Sequence, residues 1–164
     1  MNPPPSDTLE RDRGLDKIDV RILRVLQRDG RISNLKLADE VSLSPTAVFE
    51  RVKRLVRDGY ILGYEARLNP SKLGAGMMVF VEVLVDRTDT NVMQSFRAAV
   101  QARPEILECH VVAGSFDYLI KTRVADMNAY RQMIASVIWS LPGVRETRTY
   151  AVMDELKNRT TFPI

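Results

Sequence analysis

The hydrophobic rhythm of this chain changes once, around Asn69-Pro70, and that change limits the folds open to it. Before it, apolar residues recur at helical spacing: Leu15, Ile18, Ile22 and Leu26; then Leu35, Leu37, Ala38 and Val41; then Val48, Val52, Leu55 and Val56. Such spacing gathers them on one face of each helix. After it comes MMVFVEVLVD, Met77 to Asp86, dense in β-branched and aromatic residues, as in a strand covered on both sides. Two periods in 164 residues read as a helical module followed by an αβ module.

The helical module has clear stops. Asp16 is a good N-cap for a first helix that ends at Gly30, Ser33 caps a second, and Ser44 with Pro45 starts a third. Only Ser42 and Leu43 separate the second and third, so the pair forms a helix-turn-helix. YILGYEARL, after Gly59, has the weak alternation of a small hairpin or wing. Beyond the boundary, the strand at Met77 is followed by a helix over 90–102, two strands in ILECHVVAG and DYLIKTRV, a helix in DMNAYRQMIASVIWSL with Met127, Tyr130, Ile134, Val137, Ile138 and Leu141 inward, and a last strand in VRETRTYAVMDEL. The order βαββαβ is that of a ferredoxin-like sandwich, with helices on one face of an antiparallel sheet. The fold class is therefore α+β: a winged helix-turn-helix over 15–67, a hinge over 68–76 and an αβ sandwich over 77–164, preceded by a flexible, Pro- and charge-rich arm over 1–14. A helix layer buries only one face of the Met77 strand, so a second protomer is expected on the other.

Charge and composition narrow the function. The chain carries 24 basic and 21 acidic residues, a net charge of +3, so any case for a polyanion must rest on local charge. Between Ser44 and Arg57 there are four basic residues (Arg51, Lys53, Arg54, Arg57) against one acid, Glu50, as large an excess as that of the whole chain. Thr46, Glu50, Lys53, Arg54 and Arg57 fall opposite Val48, and small Thr46 and Ala47 allow close approach to base edges at the helix start. A single Cys109 excludes an internal disulfide, and with His110 as the lone histidine no His/Cys metal cluster can be assembled. No apolar run approaches a membrane span, and a cytoplasmic protein is expected.

LDKIDVRILRVLQRDGRISNLKLADEVSLSPTAVFERVKRL with GYILGY and LNP, then VFVEV, ECHVVAGSFDYLIKTRV, DMNAYR, LPGV and TRTYAVM, occur in order in both modules. Together they resemble the leucine-responsive and asparagine-regulator (Lrp/AsnC) family of bacterial transcription regulators, over Leu15 to about Leu156. The resemblance implies dimers through the αβ domain, assembly to tetramers or octamers on double-stranded DNA, and a small amino-acid effector bound between dimers. Carried over by position, Val111, Gly114, Ser115, Phe116, Asp117, Tyr118, Met127, Tyr150, Ala151 and Val152 line or adjoin the effector cleft. Asp117 would receive the ammonium and the amides of the Gly114 turn the carboxylate. The leucine-responsive branch often reads TPCLERVRR where this chain reads TAVFERVKR, and Ser115 stands where that branch commonly has an acid. Operator and effector thus stay open among leucine, proline, alanine, lysine and other branched-chain amino acids.

The expected function is a DNA-binding transcription regulator that is not an enzyme, without cofactor or metal, responding to such an effector. Ser44, Thr46, Ala47 and Glu50 would reach bases, Arg54 and Arg57 phosphates, and Arg51 either. Two alternatives remain at this stage: the tetrapyrrole decarboxylation performed by some relatives of this two-domain fold, and a metabolite sensor acting through a protein partner.

Overall fold

A computed structural model describes residues 14–86 and 90–164. The expected arm, apart from Gly14, lies outside the described residues. The chain divides into two compact units: residues up to Arg67 together with Lys157–Ile164, and Leu68–Leu156.

The first unit holds α1 (Lys17–Arg28), α2 (Asn34–Val41) and α3 (Pro45–Arg57). Each start follows from its cap. Asp16 and Asp19 form a reciprocal capping box on α1, with each carboxylate accepting the other's backbone N–H at 3.0 and 2.8 Å. Ser33 and Ser44 accept from Lys36 N and Ala47 N. Ser42 takes the left-handed conformation at φ 59°, which ends α2 and turns the chain within two residues into α3. Leu15, Val20, Ile22, Val25, Leu37, Ala38, Val41, Val48 and Leu55 form the core.

Three expectations for the helices and wing are corrected here. Leu35 is exposed, because at ~100° per residue it points about 160° away from Leu37. Val56 is exposed too, at the shoulder of the Val48–Val52–Leu55 stripe. The wing forms no strand ladder among the described residues: 60–69 is irregular, with Tyr60 N and Ile61 N both donating to Leu55 O. Residues 157–164, expected with the sandwich, group with this unit because Gln27 exchanges hydrogen bonds with the Phe162 backbone and Arg24 donates to Ile164 O.

The second unit runs β1 (Met77–Val85), α4 (Thr90–Gln101), β2 (Ile106–Val111), β3 (Tyr118–Val124), α5 (Met127–Met133) and β4 (Val144–Ala151). The antiparallel sheet has the order β2-β3-β1-β4, that of a ferredoxin-like sandwich. β4 stops at Ala151, short of the expected Leu156. Val79, Val81, Val83 and Val85 are buried beneath the helices with Phe96, Ile120, Tyr130, Val137 and Ile138. The expected single helix after Asp126 widens to a π-turn over Ile134–Ile138, where Trp139 N reaches back to Ile134 O. Met127 is half exposed rather than inward, at the helix start. Gly143 then takes φ +73°, and a Cβ there would come within 2.1 Å of Val92 Cγ1, so this turn into β4 requires glycine. On the opposite sheet face, Met78, Phe80, Glu82 and Leu84 of β1 alternate with the buried valines. The register sets Lys121 and Tyr150 beside Phe80, and Leu119 and Arg148 beside Glu82.

Candidate DNA-reading helix and effector site

Helix α3 starts with Ser44 at the N-cap and Pro45 at N1, and Asn34 Nδ2 donates to Pro45 O at 2.8 Å, tying its start to α2. At ~100° per residue, Thr46, Glu50, Lys53 and Arg57 lie within about 60° of one another, directly opposite Val48. All four are exposed. Ala47, Arg51 and Arg54 lie on the shoulder between that face and the core, and are half-buried. An open groove is lined by Asp16, Glu50, Arg51, Lys53, Arg54 and Arg57.

The shoulder arginines are engaged within the chain. Arg51 Nη1 donates to Asp16 Oδ2 at 2.5 Å and to Asp19 Oδ1 at 2.8 Å, while Arg54 Nη2 donates to Asp19 Oδ2 at 2.5 Å. Asp19 is 1% exposed. Burial works to raise the pKa of its carboxyl, but hydrogen bonds from Arg54, the Asp16 backbone and Arg51 outweigh it and hold it below the ordinary value. The sequence pattern marks Arg54 as a phosphate contact and Arg51 as a base or phosphate contact; the geometry gives both another partner. Arg57, with a side chain 72% exposed, pairs among the described residues with its neighbour Asp58 alone. Neither Asp16 nor Asp19 figures among the expected site residues. The available sign is an acid, Asp19, inside the apolar stripe of α1 between Leu15 and Ile22.

The expected effector residues form two groups. Val111, Gly114, Ser115, Phe116, Asp117 and Tyr118 occupy the β2–β3 turn, beside the C-terminal end of β1: Asp117 N donates to Val83 O and Asp117 Oδ2 accepts from Val85 N at 2.9 Å. Tyr150, Ala151 and Val152 lie at the other end, where Ala151 pairs with Val79 and Val152 N donates to Met78 O. Met127 belongs there by connectivity, three residues after Val124, the partner of Met77. Along β1 the groups are separated by three strand residues at their nearest (Tyr118 beside Val83, Tyr150 beside Phe80) and by about six at their farthest, roughly 10–20 Å, so one chain does not bring them together.

Individual roles also shift. Asp117 is buried and braces the end of β1, and Tyr118 is a core residue stacked on Phe96 with centroids 4.3 Å apart. The Tyr118 hydroxyl is buried without a hydrogen-bond partner among the described residues. Tyr150 is half exposed and donates to Glu82 Oε1 at 3.0 Å, a bond that raises its pKa. Glu82 is the residue that a strand apolar on both faces leaves out of account.

Comparison with known proteins bears on both units. Residues 78–162 match the Lrp/AsnC ligand binding domain, and residues 15–61 match a winged helix-turn-helix DNA-binding domain. The chain belongs to the Lrp/AsnC family. It is 54% identical over 152 residues to the leucine-responsive regulatory protein of Salmonella typhimurium, covering 93% of each chain. It is 53% identical over 153 residues to that of Haemophilus influenzae, covering 93% of this chain and 92% of the other. Among solved structures, a transcriptional regulator from Neisseria meningitidis in complex with L-methionine superposes with a TM-score of 0.86 at 35% identity, covering 91% of this chain and 96% of that one. Family membership and the two matched domains make this chain a DNA-binding, amino-acid-responsive transcription regulator. No helix of the described residues is long and apolar enough to cross a membrane.

Proposed function

We propose that α3 lies in the DNA major groove with Ser44, Thr46, Ala47 and Glu50 at base edges and Lys53 and Arg57 on phosphates, and that an apolar α-amino acid bound between copies of the chain alters this binding. The first half is supported by the exposed face of α3, which joins small and polar groups at the helix start to cations about two and three turns on. Leucine and methionine are the first candidates for the effector, given the name of the 54%-identical relatives and the ligand of the meningococcal regulator. The protein is read as a non-enzymatic regulator acting on DNA in the cytoplasm.

The observation that carries the second half is the separation of the two effector groups on one sheet. A zwitterion with a short side chain is shorter than a separation of roughly 10–20 Å, which supports a site where the β2–β3 turn of one copy faces the Tyr150–Val152 segment of another. That arrangement calls for at least a dimer, and one closed by symmetry into a tetramer or octamer repeats the site. The half-exposed part of this sheet face, with Phe80, Leu84 and Leu119, is the surface for the first pairing.

The test mixes two defective proteins. Ser115→Trp and Tyr150→Ala should each lose the rise in melting temperature produced by leucine or methionine, since a ligand bound to the native state stabilises it by mass action. After subunit exchange, an equimolar mixture should recover the response with about a quarter of the sites intact. No recovery, with exchange verified by mass spectrometry, would place the site within one chain and sink this reading.

A further inference from the structure

Helix α3 presents four cations, yet among the described residues only Lys53 and Arg57 face outward without an anion from another helix. Asp19 has its carboxylate closed on every side that the structure shows: Oδ1 accepts from Arg51, and Oδ2 accepts from Arg54 and from the Asp16 backbone N–H. Arg51 also bridges to Asp16, so the capping box that starts α1 is the counter-anion for the middle of α3. The two guanidinium side chains are 28% and 35% exposed, against 72% for Arg57. For Arg54 to reach a phosphate it would have to leave a carboxylate that is 1% exposed and would keep only Arg51 and one backbone N–H, and a buried charge that loses an ion-pair partner is disfavoured.

We propose that Asp19 is a specificity-determining positioning residue: it sets the seat of α3 on α1 through Arg51 and Arg54 and withholds both cations from DNA phosphates. Phosphate contacts add affinity for every sequence alike, whereas base-edge contacts discriminate. Two cations held back lower the affinity for non-specific DNA, and the fixed seat keeps the Ser44–Glu50 turn in register with the bases. The depressed carboxyl of Asp19 agrees with this, because the pair stays charged wherever DNA binding is measured near neutrality.

The proposal rests on α3 being the DNA-reading helix, and the experiment separates the two. Full-length Lys53→Gln/Arg57→Gln, Arg54→Gln and Asp19→Asn proteins are titrated with two duplexes across a salt series: one of random sequence, and one enriched from a random library by the unsubstituted protein. The Lys53/Arg57 double variant should flatten the salt slope by roughly 0.9 for each phosphate that it no longer neutralises. Arg54→Gln should leave that slope unchanged while lowering the preference for the enriched duplex. Asp19→Asn should instead steepen the slope on random DNA by the equivalent of up to about two phosphates, and lower the preference by raising affinity for random DNA.

A slope for Arg54→Gln that falls as it does for the outward cations overturns the proposal, as does an unchanged slope for an Asp19→Asn protein with a native-like melt. Should Asp19→Asn fail to fold, the Arg54→Gln slope decides alone. An unchanged slope for Lys53→Gln/Arg57→Gln would instead remove α3 from the DNA, a separate failure.

Discussion

The two candidate sites of this molecule are built in opposite ways. On the helical unit, the groups proposed to meet DNA share one face of α3, and all that holds them comes from the same unit: the Val48–Leu55 stripe beneath and the Asp16–Asp19 anions at the side. On the sandwich, the expected effector residues sit at two ends of one strand, and parts of them are spent on the fold itself, Tyr118 in the core and Asp117 on the end of β1. A helix puts residues three and four apart on one surface, so a site can be assembled locally. A strand carries residues away at about 3.3 Å each, so a small ligand site on a sheet needs a turn, a neighbouring element or a second copy.

This contrast can be broken by substitution, beginning with the sandwich core. Phe96→Ala removes a fully buried ring stacked on Tyr118 and should destabilise the protein by about 3–5 kcal/mol. The loss should be read by chemical denaturation. Effector response should vanish with it, whereas an Asp19 substitution should spare that response.

Asp19→Ala should be next, at about 2–4 kcal/mol, because it strands the Arg54 guanidinium and one capping N–H and leaves Arg51 with Asp16 alone. Its pH dependence has a definite sign. A carboxyl depressed by folding contributes stability that is present above the unfolded pKa of about 3.9 and is lost as pH falls through the lower folded value. Melting temperatures of the natural and Asp19→Ala proteins should therefore differ by a constant amount at neutral and mildly acidic pH and converge below the ordinary carboxylate range. A gap that persists at strongly acid pH would assign the loss to packing instead.

Ser44→Ala removes the N-cap of α3 and should lower stability by about 1 kcal/mol. DNA affinity should fall by more than the stability change accounts for if the start of α3 reads bases. Equal small losses would make Ser44 a cap alone.

The smallest effect is expected at Tyr150→Phe, which deletes an exposed hydroxyl bonded to Glu82. Stability should be almost unchanged, while the effector-induced melting shift tests whether that hydroxyl lies in the shared site.

Much of this architecture is legible in the sequence. The caps Asp16, Ser33 and Ser44, the βαββαβ order and the Val79–Val85 stripe depend on neighbours a few residues away, and each lies where periodicity places it. Leu35, Val56 and Met127 depart from expectation for a related reason: apolar character counts for less than angular position, and each lies at the edge of its stripe or beyond it. The wing rests on weak alternation around Gly63, yet 60–69 contains no strand among the described residues. Asp19 is legible only as an anomaly, a charge on an apolar face whose partner cannot be named from its own helix.

By itself, then, the sequence determined where the helices start, that helical and sheet modules follow one another, and that α3 carries a cationic outer face. These properties come from capping and side-chain period, which act within one or two turns or across alternate strand residues. The tertiary structure alone decided which of those cations face outward, because the bonds that hold Arg51 and Arg54 span 32 and 35 residues. It also decided that the β2–β3 turn and the end of β4 lie apart, because sheet order is set by pairing between distant segments and not by the composition of either one.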